Sequence, residues 1–243
     1  MIPLLSLKNV SITLPSIEKP IINKLSLEIF LGDFLIILGS NGSGKSSLIK
    51  LINGSKQLSQ GEIYLQGKNY QSLSFKQISS QVATLTQDLN FSTFKSLTIL
   101  ENCLLAIKKT YSKDYNKNAI LTHLQYFHPK FPQKLHDPVA SLSGGERQTL
   151  ALAMCLLFSP TLLLLDEHTS ALDPIMTEEI MKLTLKFVKK KKITTLMTTH
   201  NLNHAQNYGN RLIAIQNGIK IFETSKNEKE QLSQKDLLHI CYK

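Results

Sequence analysis

The chain has 243 residues, of which 42% are hydrophobic and 19% charged, and its formal net charge is +10. This composition predicts a folded α/β domain with a full apolar core and excludes an intrinsically disordered chain. The longest apolar stretch, Leu150 to Phe158, is about half of the roughly 20 residues that a transmembrane helix needs. The N-terminus lacks the basic and apolar regions of a secretory signal, so we expect a cytoplasmic location without a membrane span.

The basic charge and the cysteines are each compatible with a structural or a binding role. An excess of lysine indicates either generic surface charge or attraction to anionic lipid or nucleic acid. The run Lys189–Lys192 is expected in a solvated loop between a helix and a strand. Cys103, Cys155 and Cys241 are odd in number and far apart, which favours reduced, packed thiols over a zinc site.

The first part of the chain predicts antiparallel strands and then a buried strand. Strands are expected over Leu4–Leu14 and Leu25–Phe30, separated by a stretch containing Pro15 and Pro20. The continuous apolar run Phe34–Leu38 is typical of a parallel strand that is buried on both faces. A helix should begin at Lys45 and end at Asn53-Gly54.

The middle of the chain changes from strand to helix patterns. Short strands are predicted at Gly61–Gly67 and Val82–Thr86. From Leu97 to about Phe158 the apolar spacing is helical, with interruptions at Pro129, Pro132 and Pro138. This stretch predicts an inserted helical lobe.

The last part returns to an α/β pattern. A second buried strand is expected at Thr161–Leu165, a helix from Pro174 and a third strand at Ile193–Thr199. Leu212–Gln216 and Ile219–Phe222 flank Asn217-Gly218, the sequence of a tight hairpin turn. A short terminal helix should contain Leu232, Leu237 and Leu238.

A phosphate-binding loop follows the first buried strand. Gly39-Ser40-Asn41-Gly42-Ser43-Gly44-Lys45-Ser46 matches the pattern GxxxxGK[ST], known as Walker A, and Ser47 follows it at the start of a helix. Glycines allow backbone N–H groups to surround phosphate oxygens, and the helix N-terminus adds partial positive charge. We expect Lys45 to reach the β- and γ-phosphates of ATP and the Ser46 hydroxyl to bind Mg²⁺. Together with the strands and helices predicted above, this loop predicts an α/β P-loop NTPase core with a mostly parallel sheet, an N-terminal antiparallel β subdomain and the inserted α-helical subdomain.

Two carboxylates follow the second buried strand. Asp166 and Glu167 come directly after Leu162–Leu165, at the strand end where open α/β sheets bind ligands. Asp166 is expected to hold Mg²⁺ and Glu167 to act as general base or water orienter. Alone, the pair could equally cap the following segment.

A second anion-binding motif in the chain indicates which protein family it resembles. Leu142 is followed by Ser143-Gly144-Gly145-Glu146, which precedes a helix and is typical of another phosphate-binding helix start. This LSGGE motif, the phosphate loop, the LLLLDE strand, Ser170-Ala171-Leu172-Asp173, Gln87 and His200 occur in the order found in the ATP-binding cassette (ABC) family. From about Leu5 to Glu223 the chain resembles that family. The resemblance implies one ATP-binding domain over 1–243, with the core in 1–87 and 161–225, the helical lobe in 88–160 and a tail in 226–243.

The resemblance also implies roles and partners. Two such domains pair head to tail, so that the loop at Lys45 of one and Ser143–Glu146 of the other hold ATP between them, while Asp173 communicates across the homodimer. His200 resembles the histidine that contacts the γ-phosphate, and Gln87 the glutamine that senses Mg²⁺ and water; each could instead be structural. The resemblance implies that the chain is an ATPase that drives an integral membrane permease. It also implies a peripheral location at the cytoplasmic face of the inner membrane.

Finer features point to import. The segment DEHTSALDP resembles a bacterial subgroup of importer ATPases, which work with an extracytoplasmic substrate-binding protein and a permease related to the branched-chain amino-acid or sugar type. This resemblance implies a small solute that is amino-acid-like or related. His168 stands where many members have proline, and Thr13-Leu14-Pro15 offers no aromatic side chain to stack on adenine. A cytosolic ABC ATPase acting on nucleic acid or ribosomes is the alternative, although the expected partners include no nucleic acid. A third hypothesis is a cassette that binds ATP but does not hydrolyse it. The presence of Glu167, Gln87 and His200 argues against this hypothesis.

Overall fold

The computed structural model describes residues 2–14, 17–110 and 116–241. The strands are β1 (Leu5–Leu14), β2 (Ile17–Ile29), β3 (Phe34–Leu38), β4 (Gln60–Leu65), β5 (Lys68–Asn69), β6 (Val82–Leu85), β7 (Leu162–Asp166), β8 (Thr194–Thr199), β9 (Arg211–Gln216) and β10 (Ile219–Glu223). The helices are α1 (Lys45–Ile52), α2 (Phe75–Ser79), α3 (Ile99–Thr110), α4 (Lys117–Phe127), α5 (Gly144–Leu156), α6 (Pro174–Lys191), α7 (Leu202–Asn207), α8 (Lys226–Gln231) and α9 (Gln234–Cys241). Short 3-10 helices lie at Tyr70–Ser72, Leu89–Phe91 and Val139–Ser141.

The first sheet has the strand order β2-β1-β4-β5, and all of its pairs are antiparallel. Strand β2 begins at Ile17, whereas the sequence predicted a strand only from Leu25. Pro20 therefore lies within a strand. Proline is tolerated there because β2 is an edge strand, where a missing N–H need not remove a ladder hydrogen bond.

The second sheet has the order β10-β9-β3-β8-β7-β6. Strand β3 pairs in parallel with both β8 and β9, and every residue of β3, β7 and β8 is buried. This confirms the prediction of parallel strands buried on both faces. The β9–β10 hairpin is antiparallel, with Asn217 and Gly218 at φ of 49° and 75°, as the Asn-Gly turn predicts.

The chain forms two units, Met1–Ile78, Leu164–Glu167 and Thr194–Lys243 in one and Ser79–Leu163 and His168–Ile193 in the other. The first unit contains the antiparallel sheet, β3, β8, β9, β10 and helices α1, α7, α8 and α9. The second contains β6 and helices α3 to α6. Strand β7 contributes Leu162 and Leu163 to the second unit and its remaining residues to the first.

Most helices lie where the sequence predicts them. Helices α3, α4 and α5 confirm the helical stretch between Leu97 and Phe158, and α6 begins at Pro174. Helices α2 and α7 were not predicted, because neither spans two turns and so neither has a readable period. The C-terminus holds two short helices, α8 and α9, where one was expected.

The prediction of a loop at Lys189–Lys192 was wrong. Lys189, Lys190 and Lys191 form the last turn of α6, and Lys192 ends the helix in the left-handed conformation at φ 53°. Cations at a helix C-terminus are favoured because they face the negative end of its dipole. Among the described residues, no helix combines the length and apolarity needed to cross a membrane.

Candidate functional site

The phosphate loop joins buried strand β3 to helix α1. Gly44 is the N-cap of α1 at φ 106°, and no side chain caps that end of the helix. A Cβ at Gly44 would lie 2.8 Å from the Ile21 carbonyl oxygen, so this position requires glycine on two counts. The uncapped backbone N–H groups of α1 are the donors that an anion at a helix N-terminus would engage.

A hydroxyl inside the loop supports a ligand there. The Oγ atom of Ser43 is buried and has no hydrogen-bond partner among the residues that the structure describes. A buried polar atom without a partner is costly unless another group satisfies it. At the two ends of the loop, Gly39 and Lys45 are also buried. Ser47 is half-buried, and the exposed residues of the loop are Ser40, Asn41, Gly42 and Ser46.

Lys45 is the central cation of the site. Its side chain is 4% exposed, and Nζ donates to the carbonyl oxygens of Gly39 (2.8 Å) and Ser40 (3.0 Å). Nζ also lies 3.0 Å from Oε1 of Glu167. The predicted phosphate ligand and the predicted general base are therefore joined in an ion pair.

Asp166 and Ser46, the two predicted Mg²⁺ ligands of the first unit, lie side by side. Ser46 Oγ lies 3.1 Å from Asp166 Oδ1, which also accepts a 2.7 Å hydrogen bond from Thr198 Oγ1. A hydroxyl beside a carboxylate is a donor set suited to a hard divalent cation such as Mg²⁺.

Glu167 is held in an unusual backbone conformation. Its φ is 46°, in the left-handed region, and its backbone N–H donates to Thr198 Oγ1 at 3.1 Å. Such a conformation costs a non-glycine residue about 1–3 kcal/mol and persists where surrounding contacts enforce it. Oε2 of Glu167 lies 2.9 Å from Nδ1 of His200, so the carboxylate bridges Lys45 and the half-exposed His200.

The second anion-binding motif lies in the other unit, at the start of α5. Ser143 is the N-cap: its Oγ accepts from the Glu146 N–H, while Glu146 Oε2 accepts from the Ser143 N–H at 2.9 Å. That backbone hydrogen bond, reinforced by Lys134 Nζ at 3.0 Å, keeps the pKa of Glu146 below its ordinary value. The exposed Gly144 and the half-buried Gly145 form the first turn.

Asp173 begins the neighbouring helix of this unit. Its side chain accepts a 3.0 Å hydrogen bond from the Met176 N–H at the start of α6. The Met176 side chain packs against Gly145. The starts of α5 and α6 therefore lie in contact.

Gln87 lies at an exposed bend after β6 in the second unit. Thus the first unit brings together the loop residues 39–47, Asp166, Glu167 and His200, while Gln87, Ser143–Glu146 and Asp173 belong to the second. The side chain of Leu14 and all of Pro15, at the position expected to face adenine, lie outside the described residues.

Sequence reasoning missed two residues that hold the predicted ones. Thr198 binds both Asp166 and Glu167, and the buried side chain of Gln148 donates through Nε2 to the His168 carbonyl oxygen. Thr198 stands in a strand end two residues before His200, a position that could have signalled it. Gln148 carries a weaker signal, a polar residue on the apolar face of a predicted helix.

Comparisons with known sequences agree with these motifs. The family described as ABC transporter matches residues 22–170. A tyrosine transport ATP-binding protein of Clostridioides difficile is 39% identical over 246 residues, covering 97% of this chain and 97% of that protein. A thiamine import ATP-binding protein of Histophilus somni is 37% identical over 198 residues, covering 79% of this chain and 87% of that protein.

Among solved structures, the chain is similar to a dimeric ATP-binding cassette in a post-hydrolysis state, bound to ADP and Pi. The TM-score is 0.80 and the sequence identity 27%, over 91% of this chain and 98% of that one. The likeness extends over both units of the fold.

Proposed function

The chain belongs to the ABC transporter family, and from that premise we propose that it hydrolyses Mg-ATP to power a bacterial importer of an amino-acid-like solute. The observation that carries this proposal is the convergence of Lys45, Asp166, Glu167 and His200 on one site beside the phosphate loop. These four side chains supply the cation, the metal ligand, the base and the γ-phosphate contact that ATP hydrolysis uses.

In this proposal the loop Gly39–Ser47 surrounds the phosphates with backbone N–H groups. Ser46 and Asp166 would hold Mg²⁺, with Gln87 as a further ligand, and the ion would neutralise charge on the phosphates. The buried Ser43 hydroxyl supports the fit, since a phosphate oxygen would satisfy it.

Glu167 acts as the general base toward water. Its carboxylate is paired with Lys45, so Lys45 must exchange this partner for the β- and γ-phosphates before Glu167 can accept a proton. Binding of ATP then releases the base at the moment it is needed. His200, 2.9 Å from the same carboxylate, orients Glu167 and contacts the γ-phosphate.

The ATP site is completed by a second copy of the chain. Ser143–Glu146 lies at the start of α5, where the exposed Gly144 and the positive end of the helix dipole suit the γ-phosphate of ATP bound by the partner subunit. Asp173, beside this motif through Met176 and Gly145, would report closure between the two copies.

The permease is expected to dock on the second unit. An open cavity of about 190 Å³ there is lined by apolar side chains that include Phe91, Phe94 and Leu105, which are 83%, 56% and 43% exposed. Large exposed apolar side chains that cluster mark protein interaction sites. A chain docked in this way would lie peripherally at the cytoplasmic face of the inner membrane. The substrate-binding protein would bind the permease from the opposite side of the membrane, and we propose no nucleic-acid partner.

The transported solute is proposed from two supports. The DEHTSALDP segment resembles importer ATPases, and the tyrosine transport relative matches the chain nearly end to end. The first favours import, and the second favours an amino-acid-like solute.

The Glu167→Gln variant tests the ATPase mechanism. We expect hydrolysis to fall by at least about 100-fold while ATP binding is kept, because the amide preserves shape but accepts no proton. Gel filtration with ATP should then show a trapped dimer. The exposed Glu178→Gln variant is the control, and unchanged turnover of Glu167→Gln would exclude the general-base role.

A further inference from the structure

The strained backbone at Glu167 is fixed on both sides by side chains. On one side, the Glu167 N–H donates to Thr198 Oγ1 at 3.1 Å. On the other, the carbonyl oxygen of the next residue, His168, accepts from the amide of Gln148. Hydrogen bonds therefore hold both ends of the two-residue segment Glu167-His168, within which the φ of Glu167 is positive, and this restricts how the segment can relax.

Gln148 is placed so that its amide has this one evident task. Its side chain is 3% exposed, and its Nε2 donates to the backbone carbonyl of His168, which lies in the turn after β7. Burial of an amide is unfavourable unless its hydrogen bonds are made. A nonpolar residue would fill the same place on α5 without that cost, so the polar side chain indicates a positioning role.

We propose that Gln148 is a positioning residue that holds Glu167 in its strained conformation and so keeps the carboxylate aligned for catalysis. The inference rests on the proposed ATPase function, in which Glu167 is the base. Gln148 does not touch the nucleotide in this scheme; it acts through His168 on the preceding residue.

The proposal also gives α5 a second role. Gln148 lies one half-turn after Glu146, on the helix whose first turn is Ser143–Glu146. A shift of α5 when this motif engages the ATP of the partner subunit would move the His168 carbonyl. Engagement of one ATP site would thereby adjust the base of the chain's own site.

Steady-state kinetics test the role. Gln148→Met keeps the length of the side chain but removes the donor, so we expect kcat to fall about tenfold or more with KM changed by less than about twofold. Thr184→Val is the matched control, because it removes another buried side-chain hydrogen bond to a carbonyl, at 2.7 Å from Ile180, in the same unit. Equal kcat values for the two variants would overturn the proposal.

A pH profile separates positioning from packing. In Gln148→Glu the carboxylate cannot donate, but its protonated form can, and burial favours protonation. The kcat of this variant relative to wild type should rise from about pH 8 to about pH 6, while that of Gln148→Met stays low. Parallel profiles for the two variants would contradict the role.

A crystal structure of Gln148→Met gives a readout that does not depend on activity. We expect the φ of Glu167 to become negative in the variant and to stay positive in Thr184→Val. A positive φ in Gln148→Met would overturn the positioning role alone, whereas a wild-type protein without ATPase activity would overturn the proposed function instead.

Discussion

At the scale of single residues, one buried ion pair anchors the start of β9. Arg211 Nη1 donates to Asp33 Oδ2 at 2.6 Å and to the Glu28 carbonyl oxygen, while Nη2 reaches Glu223 Oε1 at 2.7 Å. The Arg211 and Asp33 side chains are 13% and 4% exposed. A guanidinium suits this place because its fixed, planar donors satisfy several acceptors at once.

Removing Arg211 should therefore be costly. Arg211→Met leaves Asp33 buried without its cation, and breaking such a pair lowers the free energy of unfolding by about 3 kcal/mol. Urea denaturation measures the change. Lys182→Met removes an exposed i,i+4 pair with Glu178, at 2.7 Å, and should cost less than about 0.5 kcal/mol. Similar losses in both variants would show that Arg211 is not a structural anchor.

At the scale of elements, aromatic rings join helices α4 and α6. The ring centroids of Phe127 in α4 and Phe187 in α6 are 5.1 Å apart. The ring centroid of His123, also in α4, lies 4.9 Å from that of Phe127 and 5.5 Å from that of Phe187. His123 Nε2 is also 2.8 Å from the carbonyl oxygen of Ala153 in α5, which requires an N–H at this nitrogen. One histidine thus contacts three helices.

This packing makes stability depend on pH. Burial, aided by Lys191 and opposed by the Ala153 hydrogen bond, lowers the pKa of His123 below 6.5. His123 therefore binds a proton more readily in the unfolded chain than in the folded one. Its contribution to the free energy of unfolding should be fully present above its unfolded pKa and should decrease as the pH falls below about 6.5.

Thermal unfolding between about pH 8 and about pH 5 checks this prediction. His123→Gln keeps an N–H donor but does not titrate, so its melting temperature should decline less with acid than that of wild type. The decline should not vanish, because burial also lowers the pKa of His204. The exposed His136→Gln variant should behave as wild type; an unchanged slope in His123→Gln would refute the assignment.

At the scale of the whole molecule, surface composition points to a partner. Phe91 and Phe94 are among the most exposed large apolar residues of the described chain, and both line the cavity of the second unit. Exposed aromatic side chains are favoured at interfaces, where burying them supplies much of the binding energy.

Docking of a permease can be tested with single variants. Phe94→Ser should reduce recovery of an integral membrane permease from solubilised membranes by at least about tenfold, while ATPase activity of the chain remains. Phe75→Ser is the control, because Phe75 is also 56% exposed but lies in the first unit. Equal recovery with both variants, or recovery of only ribosomes or DNA, would contradict the permease assignment.

The sequence by itself determined the features that have a local chemical cause. The apolar runs of β3, β7 and β8, the Asn-Gly hairpin and the Pro174 helix start were predicted correctly, because each depends on neighbouring residues. The motifs around Lys45 and Asp166 were also recognised from the sequence, and their roles in phosphate and metal binding stay predictions.

Only the tertiary structure decided features that depend on distant partners. Pro20 lies in a strand because β2 is at a sheet edge. The Lys45–Glu167 ion pair, the hydrogen bond from Glu167 to Thr198 and that from Gln148 to His168 join residues far apart in sequence. Their cause is the packing of strands and helices around one peptide segment, which no spacing within the chain encodes.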